Sequence, residues 1–392
     1  MALGKRRLPL VLPLYSLTGD LLSFQRCALQ YRYLNGSKLP PSRPVQLWFG
    51  EFIHGVLEMA YRHWRDADPP PPFPWPEHMA DWRAEPDPNW PSHDIGRIGY
   101  SVEQALRAQG KNSRDRDARQ AAYRRVFRAV NDIGPHLFPL VVSAEERILG
   151  TRVLGQGSPG RAERYELHGI VDVLTNMTLG TASGDNLLKA AIAAACPSLR
   201  GDYEVIVDYK GSRRPDLQDP DRPYWQQGEW QVLTYSWLRS RQAGAIPVAA
   251  GVLIYVNELS PGADDIAALK KAIRSNNTDV LPREGSPDWY AIQNWRSGLA
   301  IPELSAGFRH SRAIRIVPVV QNRIEQALSG FDCVVRDIEA CVAGEMAAGV
   351  INDLWRPCGD EETCNACDCR YFCPHPAPRS SDPVPPTSPP AP

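Results

Sequence analysis

The stretch YEVIVDYK, residues 203–210, is an apolar run that reads as a buried strand, and it ends in Asp208-Tyr209-Lys210. Alternate residues of a strand point the same way, so the Asp208 carboxylate and the Lys210 ammonium share one face. Either the two pair with each other, or both serve something bound at the strand end. A lone D-x-K recurs by chance as a surface pair, so its meaning rests on what surrounds it.

The surroundings are those of an α/β chain. LWFGEFIHGVLEMAYRHW (47–64) sets Phe49, Ile53, Val56, Leu57, Ala60 and Trp64 on one helical stripe, with His54 and Glu58 on a neighbouring face. Residues 101–135 read as one polar helix whose Arg116, Arg119, Arg124 and Arg128 mark a basic surface, in the first instance a solvated face. Strand-like runs follow at 140–149, 164–174, 203–210 and 248–256, with a helix at 229–241 before the last. That order predicts an α/β fold. The formal net charge of −1 over 392 residues excludes a wholly basic coat for nucleic acid and leaves room for a local groove. No stretch reaches about 18 consecutive apolar residues. The expectation is a cytoplasmic protein with no membrane partner.

Asp172 interrupts the apolar run 164–174 just after Gly169, and Asp208 ends the next strand. Two adjacent strands can therefore bring both acids to one point. A carboxylate buried in an apolar strand is costly unless it is paired or bound to a metal, and two such acids repel unless a cation sits between them. Carboxylate oxygens completed by water suit Mg²⁺ or Mn²⁺, and a nitrogen ligand from His54 tilts the preference towards Mn²⁺. Beside such an ion Lys210 would orient an attacking water and offset charge on a phosphoryl group, which is phosphodiester hydrolysis. Arg213 and Arg214, just past Lys210, are placed to meet a phosphate backbone. Singly, His54 also reads as a core histidine, and Gln231 and Tyr235 as ordinary packing on a helix.

Five of the nine cysteines, Cys358, Cys364, Cys367, Cys369 and Cys373, crowd into one short C-terminal stretch. In a large cytosolic chain this reads as metal binding, and a local zinc site on Cys358, Cys364, Cys367 and Cys373 is one form of it. Cys196, Cys333 and Cys341 read as small core hydrophobes. Residues 67–91 read as a Pro-rich surface excursion, and the tail 376–392 as disordered.

Taken in order, Gly50…His54, Gly169-x-x-Asp172, Asp208-x-Lys210 and Gln231-x-x-x-Tyr235 resemble the motif set of the PD-(D/E)XK nuclease superfamily, specifically its RecB-like branch. The resemblance implies that His54, Asp172 and Asp208 bind the metal, that Lys210 and the two acids are catalytic, and that Gln231 and Tyr235 position the substrate. It implies a restriction-endonuclease-like core, a mixed central sheet flanked by helices, with helical additions. Residues 175–202, including LLKAAIAAAC, stand where the family has a short turn and read as a helical insertion that contacts a partner or gates the site. Cys27 in SFQRCALQYRY, together with Cys364-x-x-Cys367 and Cys373, is similar to the ligand set of the iron–sulfur nucleases, a group that includes AddB, eukaryotic exonuclease V and the CRISPR adaptation nucleases. By that resemblance Cys27, Cys364, Cys367 and Cys373 hold a [4Fe-4S] cluster that clamps the chain's two ends, with Cys358 and Cys369 left out.

The implied organisation is an N-terminal segment (1–46), a helical region with the histidine (47–137), a nuclease core (138–260), a C-terminal helical region with the iron–sulfur segment (261–375), and the tail (376–392). The implied activity is a Mg²⁺- or Mn²⁺-dependent deoxyribonuclease on single-stranded DNA or DNA ends. Exonuclease action in repair, recombination, anti-phage defence or CRISPR adaptation follows, with a helicase or other DNA-processing protein as partner. The alternative is a catalytically weak DNA-binding or scaffold subunit of a helicase–nuclease complex.

Overall fold

The described parts of 45–151 and 166–330 pack into one compact unit, and those of 1–44, 152–165 and 331–392 into a second, smaller one, so the two are interleaved along the chain. The computed structural model describes residues 12–36, 45–79, 85–154, 161–177, 185–217, 224–351, 353–365 and 367–374. The Pro-rich tail 376–392 lies outside them, as do parts of the 67–91 excursion and of the 175–202 insertion.

The larger unit begins with helix α1 (Val45–Asp66). Its stripe is inward as the spacing predicts: Phe52, Ile53, Val56 and Ala60 are fully buried, while Phe49 and Trp64 pack half-buried at the margin of the same core. The helical pattern over 101–135 resolves into two helices, α2 (Ile95–Ala108) and α3 (Arg116–Arg128), not one. Gly110 adopts φ 76°, the left-handed conformation that ends a helix, and the Asp115 side chain accepts from the Ala118 N–H to start the next. This pairing of helices also corrects the expected basic surface, because Arg119 turns inward, is buried, and pairs with Glu103 at 2.9 Å. Arg116 and Arg124 remain exposed.

The strands of this unit are β1 (Val141–Val153, to residue 151), β2 (Arg164–Met177, from residue 166), β3 (Tyr203–Lys210), β4 (Val248–Tyr255) and β5 (Ile314–Pro318). Strand β1 pairs with β2, and from there neighbours follow in the order β2-β3-β4-β5. The β2/β3 and β4/β5 pairs are antiparallel, whereas β3/β4 is parallel. The sheet is therefore mixed, as expected. The parallel step requires a crossover, supplied by α5 (Tyr224–Arg239), after the shorter α4 (Leu187–Ala195) between β2 and β3. Seven of the eight β3 residues are buried, Lys210 being the one that is not, which is why this strand reads as a continuous apolar run. Helix α4 is capped by Asn186, whose amide also donates to the His136 carbonyl at 2.7 Å, and it buries Leu188 and Ile192 in the main core. Of the three cysteines expected in the core, Cys196 and Cys341 are buried; Cys333 is exposed and corrects that expectation.

Candidate functional site

Two strand ends and one helix face build the site. Val173 of β2 pairs with Val207 of β3, which leaves Asp172 and Asp208 at the next positions of adjacent strands. The backbone of Tyr209 is held at both its polar groups: its N–H donates to Asp172 Oδ2 at 2.8 Å, and its carbonyl lies 3.1 Å from His54 Nε2 on α1. His54 Nδ1 sits 3.4 Å from Asp172 Oδ2. The inward stripe of α1 fixes this geometry, since Ile53 is anchored in the core and His54 is left facing the strand ends.

A third group able to hold a metal ion joins His54 and Asp172, one that the sequence motifs did not single out. Glu145 of β1 brings a carboxylate oxygen into a group with His54 and Asp172 whose ligand atoms all lie within 4.8 Å of one another. Its backbone has φ 55°, a conformation that costs a non-glycine residue energy and clusters at functional sites. The available sequence signal was a pair of acids, Glu145-Glu146, inside a strand-like run. Asp208 stands beside this trio with its carboxylate engaged elsewhere: Oδ2 is 2.5 Å from the Lys210 ammonium, and Oδ1 accepts from Gln231 Nε2 at 2.9 Å.

The electrostatics are those of a site short of positive charge. Burial lowers the His54 imidazole, but the Asp172 carboxylate, with Asp208 and Glu145 behind it, outweighs burial and raises it to about 9. Glu145 is raised to about 7, first by desolvation and then by the charge of Asp172, although part of its side chain reaches solvent. Asp208 is held above the usual carboxylate range by burial, a shift Lys210 opposes and Asp172 reinforces. Asp208 Oδ2 is moreover a buried oxygen without an aligned hydrogen bond. Two carboxylates and an imidazole within reach of one point, with the Lys210-paired Asp208 alongside, form a donor set that fits a hard divalent cation.

The remaining motif residues lie behind the acids. Gln231 Oε1 accepts from Lys210 Nζ at 2.7 Å while its amide nitrogen donates to Asp208 and, at 3.2 Å, to the Tyr235 hydroxyl. At 6% and 1% exposed, neither Gln231 nor Tyr235 faces an open surface: Gln231 bonds the acid–lysine pair, and Tyr235 reaches it only through Gln231. Gly169 gains a reason here: a Cβ on it would stand 2.3 Å from Tyr235 Cε1, so the glycine of one motif makes room for the tyrosine of another. Gly169→Ala is expected to lose roughly 1–3 kcal/mol of stability through overpacking and to slow any chemistry that depends on Lys210. A denaturation midpoint and cleavage rate both equal to wild type would show that Tyr235 moves aside freely.

The arginines past Lys210 divide. Arg213 is exposed, its nearest acid Asp216 at 4.0 Å. Arg214 does not face a phosphate: it is buried, donating to Asp279 at 2.7 Å and to the carbonyls of Arg312 and Ile314.

In the smaller unit Cys27, Cys358, Cys364, Cys367, Cys369 and Cys373 line one pocket. The N-terminal segment reaches it because Leu29 N–H donates to the Arg356 carbonyl at 3.2 Å, Arg32 pairs with Glu345 at 2.5 Å, and Phe24 and Tyr31 pack on Trp355. Asp360 starts the turn Glu361–Asn365, and Cys367 N–H donates to the Cys364 carbonyl at 3.1 Å, which folds the C-x-x-C around the pocket. Burial raises the Cys358 and Cys367 thiols, and the nearby Cys27 adds to this. Cys358 Sγ is 3.9 Å from Cys364 Sγ. Yet among the described residues the trio of His, Cys, Asp or Glu ligands within 4.8 Å is that of His54, Glu145 and Asp172, and no three thiols come so close. Four thiolates around one zinc at about 2.3 Å would lie only about 3.8 Å apart.

Residues 19–183 match the family model of the PD-(D/E)XK nuclease superfamily. The match covers Cys27, His54, Glu145, Gly169 and Asp172 and ends before Asp208 and Lys210. No curated protein matches the chain. Among the described residues no helix is long and apolar enough to cross a membrane.

Proposed function

We propose that the chain is a divalent-metal-dependent nuclease acting on single-stranded DNA, from an end, and carrying an iron–sulfur cluster on Cys27, Cys364, Cys367 and Cys373. The convergence of His54, Glu145 and Asp172 beside the Asp208–Lys210 pair, in a chain whose residues 19–183 match a nuclease superfamily, carries the first part. Asp172, His54 and Asp208, with Glu145 added, would hold Mg²⁺ or Mn²⁺. Such an ion, when bound, supplies Lewis-acid activation of water and charge for the phosphoryl oxygens. Lys210 is steered by Asp208 and Gln231 so that its ammonium stands at the strand end, able to donate to a phosphate or to a water. Tyr235 fixes Gln231 and acts through it.

The pocket of six thiols supports the second part. Cys27 of the N-terminal segment lines it together with Cys364, Cys367 and Cys373, the four that the resemblance assigns to a cluster. By the same resemblance a helicase or other DNA-processing protein is the expected partner, in repair, recombination, anti-phage defence or CRISPR adaptation.

The test is cleavage of an end-labelled single-stranded oligonucleotide against a Mn²⁺ titration, for wild type and Asp172→Asn. Wild type should cut only with metal, and the variant should lose about 4 kcal/mol of transition-state stabilisation, roughly a thousandfold in rate. Binding without metal-dependent cleavage by wild type would instead favour a DNA-binding or scaffold subunit.

A further inference from the structure

Away from the acid cluster, the larger unit carries a groove whose chemistry the site above does not use. Helix α6 (Ala263–Arg274) packs Ile266 and Leu269 into a small core with Ile292, Trp295, Leu304 and Phe308. Its outer face then presents Ala267, Lys270, Lys271 and Arg274, the spacing i, i+3, i+4, i+7 of one helical stripe. The opposite wall is the segment Trp295-Arg296-Ser297 that follows the helix Pro287–Asn294. Between the walls lies an open groove of about 520 Å³.

Four cations, Lys270, Lys271, Arg274 and Arg296, line this groove, and among the described residues none of them forms an ion pair with a carboxylate. The buried arginines Arg119, Arg214 and Arg312 are each matched to an acid, whereas these four cations gather their charge at one surface. The crowding is felt by Lys270, which is lowered by desolvation and by Arg274 and Arg296. The walls are nonetheless fixed: Lys270 Nζ donates to the Trp295 carbonyl at 2.7 Å, and Trp295 is anchored in the core beneath. A concave, pre-built surface with unbalanced positive charge is completed by an anion that runs along it.

The geometry points to a second nucleic-acid contact, in which Lys270, Lys271, Arg274 and Arg296 grip the phosphate backbone of a single strand outside the hydrolytic centre. Lys270 and Arg274 are one turn apart, about 6 Å along the helix axis, a step comparable to that between successive phosphates of an extended strand. Backbone contacts of this kind carry no sequence preference and fix the path of the strand. The inference rests on the nuclease reading for the strand's identity, and not for the groove.

The test is binding of long and short oligothymidylates to the full chain in EDTA, as a function of salt, for wild type and the variant Lys270→Ser, Lys271→Ser, Arg274→Ser, Arg296→Ser. Lys270→Ser also removes the bond to the Trp295 carbonyl, so the triple variant Lys271→Ser, Arg274→Ser, Arg296→Ser, which keeps it and should melt like wild type, is measured beside the quadruple one. Four phosphate contacts at about 0.7 each predict that the slope of log affinity against log salt falls by roughly 3 for the long strand, with affinity near physiological salt down by one to two orders of magnitude. Equal affinity and slope in a folded variant would overturn the proposal, and the groove would then belong to an acidic protein partner. Because no metal or cleavage enters the measurement, an inactive nuclease centre leaves its outcome untouched.

Discussion

Lys210→Ala is expected to abolish metal-dependent cleavage, by on the order of a thousandfold or more, while single-strand binding and the cooperative melting of the chain are retained. The expectation follows from where Lys210 stands: it is the one residue of β3 left partly exposed, its ammonium 2.5 Å from Asp208 and 2.7 Å from Gln231 Oε1. A purely structural role is the competing account, because removing one partner of a buried pair leaves an uncompensated charge that costs about 3–5 kcal/mol. Two features limit that cost. Lys210 is the partly exposed residue of β3, so water can reach the space its side chain leaves, and Gln231 remains hydrogen-bonded to Asp208. The discriminating measurement pairs the cleavage rate with the denaturation midpoint for Lys210→Ala and for Lys210→Met, which fills the volume without the charge. Rate lost with the midpoint kept assigns Lys210 to the chemistry. A midpoint that falls in step with the rate in both variants makes it the counter-ion of Asp208 and nothing more.

The parts of this arrangement that were legible in the sequence are those set by local pattern. Strand β3 is buried on both faces, so its apolar run was visible without any knowledge of its neighbours, and α1 announced its inward stripe through period 3.6. Asp172 and Asp208 stood out as carboxylates against apolar strands. Glu145 did not, because its strand is half-exposed and polar, and its relation to His54 and Asp172 arises from strand pairing and a left-handed backbone that spacing cannot report. Arg213 and Arg214 are indistinguishable as a dipeptide; what buries the second is Asp279, far along the chain. The break between α2 and α3 had its Gly110 in view, but apolar positions at helical spacing on both sides masked it. Cys358 and Cys369 were separable from the other thiols only by the family pattern, and they too line the pocket.

Cys27→Ala is expected to remove both the iron and the visible absorption of the anaerobically purified protein, and to loosen the smaller unit, whereas Cys358→Ala keeps both. The contrast turns on which thiols reach the same point. A local site on Cys358, Cys364, Cys367 and Cys373 would be complete within one short segment and indifferent to residue 27, yet Cys27 lines the pocket with them. Joining position 27 to position 364 closes most of the chain into a loop, at about 5 kcal/mol of chain entropy. The contacts that bring the two segments together, Arg32 with Glu345 and Leu29 with Arg356, meet part of that cost, and ligand bonds meet the rest. Losing one ligand should therefore lower the unfolding midpoint of the smaller unit by several degrees or more and expose it to protease. Colourless, zinc-containing wild type, with metal content untouched by Cys27→Ala and lost in Cys358→Ala, would move the ligands to the local set. The nuclease reading would then stand on His54, Glu145, Asp172, Asp208 and Lys210 alone, because nothing in their geometry depends on which metal the cysteines hold.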